Sequence, residues 1–335
     1  MNRKQTVFFF AKAGFSVLAI GLLFRKASLA HVCASIYNAR HTPVVLGIFL
    51  CLSTIVIAGW RWQRLLGVFG IQIRLRSLVC IAQIGQFFLM FLPGPTGDDL
   101  TRMLYISRLT KGRVAEACTS VLIDRMIGLA AVLVLAVLCI PWQWQALSAS
   151  RASYWLAIGI SAVGTAVLLL GLLFFLHRGF FLRNISDWCL QLLPASKIKV
   201  ELLRINSLVY SHKKNLAQVL SAALFTQVLL CGVFYLAGLA VGIHMPFVLW
   251  LGFVPIVLAA NAVPITIAGL GVREYLMVLF LGVLAHIEAE QALAASLVAF
   301  SMMLANSLLG GLVYILYRPV ASTIQLNHKE PGTGN

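Results

Sequence analysis

Apolar residues run along this chain in long unbroken stretches, and the polar positions fall in short clusters between them. Segments 7–24, 43–60, 116–140, 154–176, 216–243 and 292–317 are the full-length apolar stretches. At 1.5 Å of helix rise per residue, each is long enough to cross about 30 Å of hydrocarbon. The pattern predicts an all-α, polytopic integral membrane protein with about six full spans. Arg3 and Lys4 ahead of the first stretch give it the shape of a signal peptide, with 28–30 as a cleavage site. The many spans that follow favour an uncleaved first helix.

Two apolar regions are interrupted. Region 77–105 has a first apolar arm, then Pro93-Gly94-Pro95-Thr96-Gly97-Asp98-Asp99, then a short arm ending in basic residues. Region 247–285 carries Pro255 and Pro264 in its first arm, then Ile267-Ala268-Gly269-Leu270-Gly271-Val272-Arg273-Glu274, then a short second arm. Proline and glycine break helices, and broken backbone at membrane depth persists only when buried in protein or facing water.

Charge orients these segments. Basic residues gather in 61–76 (Arg61, Arg64, Arg74, Arg76), in 102–113 and most densely in 177–214. By contrast, 141–153 holds only Arg151, and 286–291 carries Glu288 and Glu290. The positive-inside rule puts the dense loops in the cytoplasm, and with them both termini, as expected for the inner membrane of a bacterium. Arg25, Lys26 and Arg40 run against this scheme. Because 61–76 and 102–113 share a side, 77–105 is expected to enter the membrane and return as a re-entrant hairpin. Region 247–285 is expected to do the same from the other side. Segments 43–140 and 216–317 then form two units of opposite orientation, an inverted repeat. Pro93 to Arg102 and Pro264 to Arg273 share the same spacing. Eight or nine full spans is the alternative, since 247–267 is long enough to cross. The expected layout is one helical membrane domain over 1–326, an amphipathic cytoplasmic linker at 177–214 and a disordered tail at 327–335.

Composition agrees with the pattern. The 335 residues are 61% hydrophobic and 11% charged, against about 45–50% and 25% in soluble domains. The net charge of +16 would suggest nucleic acid on a soluble protein, but no nucleic-acid motif accompanies it and the loops account for it. Nucleic acid is therefore not an expected partner. The seven cysteines include no C-x-x-C pair, and the histidines no H-x-x-x-H, so neither a metal nor a cofactor is expected. No phosphate-binding P-loop sequence is present. Nothing in the pattern sets an oligomeric state.

Ionisable groups within membrane segments are costly unless paired, and so they mark candidate pathways. Here they are Asp98, Asp99 and Arg102 in the first hairpin, Asp124 and Arg125 in the helix starting near Glu116, and Arg273 and Glu274 in the second hairpin. Glu116, Ser120, Asp124 and Gly128 recur every four residues and predict one inward polar stripe. Arg125, adjacent to Asp124, cannot pair well with it on the same helix. It needs Asp98, Asp99 or a substrate phosphate. The structural alternative is an Asp–Arg bridge that locks the bundle. The hairpin turns rest on Pro93, Gly94, Gly97, Pro264, Gly269 and Gly271. Gln83, Gln86, Asn261 and Asn306 are expected as interhelical glue. Half-helix N-termini at such turns present free N–H groups and positive dipole ends that suit an anionic headgroup.

The stretch GQFFLMFLPGPTGDDLTRMLYISRLTKGRVAEACTSVLIDRMIGL resembles the flippase-like membrane domain of the lysylphosphatidylglycerol synthetase family. The resemblance rests on Pro93-Gly94, Gly97-Asp98, Arg102, Ser120-Val121 and Asp124-Arg125. The stretch VPITIAGLGVREYLMVLFLGV extends it through Pro264, Gly269, Gly271 and Glu274. Ala268 and Asp124 depart from the Gly and Glu common there. The resemblance implies a membrane protein that flips or transports an anionic or phosphate-bearing lipid. In relatives, the synthetase and glycosyltransfer activities belong to added soluble domains, so no enzymatic activity is expected of this chain. Two other functions stay open. One is a lipid-binding accessory protein without transport. The other is an embedded lipid-phosphate transferase, with Asp98-Asp99 holding a divalent cation.

Overall fold

The computed structural model describes residues 29–91, 96–110, 112–144, 148, 151–176, 213–262 and 271–317. Ten α-helices lie among them: α1 (Leu29–Tyr37), α2 (His41–Val68), α3 (Leu75–Phe91), α4 (Thr96–Leu109), α5 (Val114–Cys139), α6 (Arg151–Leu176), α7 (Lys213–Ala240), α8 (Phe247–Ala262), α9 (Val272–Ala285) and α10 (Ala289–Leu316). The chain is an all-α polytopic membrane protein. Helices α2, α5, α7 and α10 are long and apolar enough to cross a membrane, and α6 occupies the stretch expected at 154–176. The span expected at 7–24 and the tail at 327–335 lie outside the described residues. So does the linker expected at 177–214, save its last two residues, which open α7.

The two interrupted regions form pairs of short helices. Helices α3, α4, α8 and α9 have 17, 14, 16 and 14 residues. At 1.5 Å per residue each arm is about 21–26 Å long, short of the hydrocarbon thickness. Within each pair the arms pack on one another. The first pair closes through absent side chains. A Cβ on Gly97 would stand 2.5 Å from the Phe88 carbonyl oxygen, and one on Gly85 would strike the Asp98 carboxylate. In the second pair Gly271 caps α9 at φ 95°, a conformation that favours glycine. Pro93, Gly94, Pro264 and Gly269 lie outside the described residues.

Helix lengths therefore run long–short–short–long twice, in α2–α5 and again in α7–α10. The most extensive contact joins the two leading helices, α2 and α7. Each hairpin packs on its own string and also reaches the other: α3 lies against α10 as well as α2, and α8 against α5 as well as α7. Gly310 and Gly311 of α10 make the first of these contacts close, since a Cβ on Gly310 would run into the Gln83 carbonyl oxygen. Small residues that let helix backbones meet are the usual device for packing in lipid, where burying apolar surface gives no net drive. One apolar cluster surrounds Trp250, Phe253 and Phe280, with the last two rings stacked at 5.4 Å. A second holds Trp62, Leu66, Leu78, Ile81 and Ile106.

One boundary differs from the sequence reading in a way that matters. The second span was expected to stop at residue 60 and release Arg61 into a basic loop. Instead α2 continues to Val68 and Arg61 is buried, 7% exposed. No Pro or Gly breaks the chain between Trp60 and Leu66, and Trp62, Leu65 and Leu66 keep the apolar side going.

Candidate functional site

The ends of both hairpins converge on one cavity of about 500 Å³. The first hairpin brings Gln86 from the end of α3 and Asp98, Asp99 and Arg102 from the start of α4. The second brings Asn261 from the end of α8 and Arg273 from the start of α9. The long helices close the walls near their middles, through Thr54 and Arg61 of α2, Asp124 and Arg125 of α5, Thr226 and Gln227 of α7, and Phe300 and Asn306 of α10. Broken helices pointing their ends into a chamber at mid-depth are how membrane proteins build polar sites without exposing backbone to lipid.

Asp124 organises the charged wall. Its carboxylate accepts two hydrogen bonds from Arg61, at 2.6 and 3.0 Å, and a third from Arg102 Nη1 at 3.2 Å. Arg102 also donates from Nε to Asp98 at 2.7 Å, one turn back on α4, and stacks over Trp62 at 5.6 Å. Trp62 in turn donates its indole N–H to Ser120 at 3.0 Å. One carboxylate thus ties α2, α4 and α5 together. A two-point Arg–carboxylate fork is the strongest such geometry, and burial makes each member depend on the others. Gly128 lies beside this network, and a Cβ there would meet Arg61 in ordinary contact at 3.8 Å.

Arg125, one residue on, faces a different part of the cavity and pairs with Asp99. The expected partnership with Asp98 or Asp99 resolves to Asp99. This pair is the more accessible one: the Arg125 side chain is 31% exposed, against 8% for Arg61 and Arg102.

The second hairpin holds its charges locally. Glu274 pairs with its neighbour Arg273 and accepts the Gly271 N–H at 2.6 Å, so it caps α9 from within. Arg273 Nε also reaches Ser296 Oγ at 3.2 Å, and its guanidinium lies over Phe300 at 4.8 Å. Both side chains are almost fully buried.

The remaining predicted residues divide. Gln83 donates to the Asn306 carbonyl at 2.6 Å and to its side-chain oxygen at 3.1 Å, joining α3 to α10 as glue. Gln86 accepts from Ser307 through its backbone carbonyl while its side chain lines the cavity. Asn261 lines it too, and its Oδ1 has no hydrogen bond among the described residues. Ser120 is buried behind the wall, and Glu116 sits outside it, paired with Arg113. Sequence reasoning missed Arg61, Thr226 and Gln227. For the first the signal was the unbroken helix. For the other two it was an adjacent polar pair near the middle of the apolar run 216–243.

A comparison with known families matches residues 9–310 to the one described as the lysylphosphatidylglycerol synthase TM region. No curated protein matches the chain.

Proposed function

The chain belongs to the lysylphosphatidylglycerol synthase TM family, and from that premise we propose that it moves an anionic, phosphate-bearing lipid between the leaflets of a bacterial inner membrane, without covalent chemistry. The observation that carries the reading is the convergence of both hairpin ends on a cavity lined by four arginines, Arg61, Arg102, Arg125 and Arg273. A guanidinium matches a phosphate in planar, two-point fashion. The cavity is large enough for a headgroup, while acyl chains would stay in lipid. Membership supports a protein of lipid metabolism or transport, and the broken helices favour transport. On this reading the two four-helix strings are inverted repeats, the hairpins are re-entrant, and both termini are cytoplasmic. The repeated length order and the reciprocal contacts of α3 with α10 and α8 with α5 support that plan. The transferase reading needs Asp98 and Asp99 to share a cation. They turn instead to different arginines, Arg102 and Arg125.

The test is lipid movement in proteoliposomes carrying fluorescent phosphatidylglycerol, lysylphosphatidylglycerol or a polyprenyl phosphate. Movement of an anionic lipid that Arg125→Ala abolishes, with the variant still eluting as a folded protein, is the expected result. Folded wild-type protein that moves none of them points to the accessory role.

A further inference from the structure

The charged groups around the cavity are balanced. Its lining holds Arg61, Arg102, Arg125 and Arg273 against Asp98, Asp99 and Asp124, and Glu274 pairs with Arg273 behind it. Each of the four cations already has a carboxylate partner. No arginine stands ready for a phosphate, so an anionic headgroup must displace a carboxylate. It would also leave the chamber with one negative charge too many, a costly state away from water.

The geometry selects where exchange occurs. Asp124 holds two arginines from two helices, Asp98 is tied to Arg102 on its own helix, and Glu274 caps α9. Displacing Asp124 would unpair a buried arginine and displacing Glu274 would open a helix end, while Asp98 meets an Arg102 that Asp124 also holds and whose side chain is only 8% exposed. Asp99 has neither duty among the described residues. It meets Arg125, whose side chain is the most exposed of the four arginines.

We propose that an anionic phosphodiester lipid enters with one proton: the phosphate replaces Asp99 on Arg125, and the displaced Asp99 carboxylate takes the proton. The inference rests on the lipid-transport reading above. Charge is conserved, since the lipid contributes one negative charge and the proton cancels it. No bond other than O–H forms, and none breaks in the lipid. The groups around Asp99 are consistent with this. Its own helix brings Asp98 and Arg102, α5 brings Asp124 and Arg125, and α2 brings Arg61. Helix α9 brings Arg273, while α3, packed on α4, contributes the uncharged Gln86. Translocation would then be electroneutral, driven by a pH difference and indifferent to voltage.

The experiment mixes purified full-length protein in weakly buffered detergent with short-chain phosphatidylglycerol, and separately with short-chain phosphatidylcholine. A pH indicator reports protons and calorimetry reports binding. The expected result for phosphatidylglycerol is uptake of about one proton per lipid bound, with affinity weakening up to about tenfold per pH unit as proton linkage requires. Phosphatidylcholine is expected to take up none. Asp99→Asn, close in shape to the native residue, is expected to bind phosphatidylglycerol with no proton uptake and no pH dependence. Arg125→Gln is expected to lose binding while keeping the wild-type melting temperature to within a few degrees. Wild-type binding without proton uptake overturns the exchange and leaves the transport reading standing. Persistent uptake by Asp99→Asn overturns the assignment to Asp99. Absence of any phosphatidylglycerol binding by folded wild type overturns the exchange, while movement of none of the three lipids in proteoliposomes overturns the transport reading.

Discussion

The two hairpins share a length, a packing mode and a convergence point, yet they handle charge differently. In the first, carboxylates and arginines reach across helices: Asp124 on α5 holds Arg61 from α2 and Arg102 from α4. In the second, Arg273 and Glu274 are neighbours in sequence and settle each other within the first turn of α9. A charge set spread over three helices couples their positions. An ion pair closed within one turn takes no charge from another helix and meets α10 only through the Ser296 hydroxyl and the Phe300 ring. The comparison assigns adjustable chemistry to the first hairpin and a closed lock to the second.

Substitutions can break or sharpen this contrast. The largest effect is expected from Asp124→Ala, which strands two buried arginines on two helices. It should lower stability by about 4–5 kcal/mol, at the upper end for a broken buried pair, read from unfolding in detergent. Glu274→Ala strands one arginine and one backbone N–H and should cost about 3 kcal/mol. An equal or larger loss there would remove the distinction between a spread and a confined network. Gly271→Ala forces a side chain onto the positive-φ cap of α9 and should cost about 1–3 kcal/mol, leaving the first network untouched. Ser120→Ala removes the acceptor for the Trp62 indole and the hydroxyl that donates to the Ala117 carbonyl, and should cost about 1 kcal/mol.

Much of this arrangement was legible in the sequence. The long spans announce themselves through uninterrupted apolar runs, and the hairpins through Pro and Gly clusters set inside such runs. The pairing of Arg125 with the tip of the first hairpin followed from its poor geometry toward Asp124 on the same helix. Arg61 was hidden because a basic residue at the edge of an apolar run looks like the start of a loop, and only its distant partner on α5 reveals otherwise. Arg273 and Glu274 show the limit of the adjacency argument. Neighbouring side chains diverge in mid-helix, but in the first turn, where Glu274 folds back onto the Gly271 N–H, they can meet. Gln83 and Asn306 were named separately as glue. That they serve each other depends on long-range packing, which no local pattern encodes.

The contact of α3 with the last helix, α10, has a consequence for how the chain is made. The hydrogen bonds from Gln83 to Asn306 join residues 223 positions apart, and the close approach at Gly310 belongs to the same seam. During synthesis the face of α3 that carries Gln83 therefore waits until the last helix emerges. At about 5–20 residues per second this wait is roughly 10–45 s. Over that interval the first hairpin lacks its final neighbour, so the insertion machinery or a membrane chaperone has a long, defined window in which to shelter it.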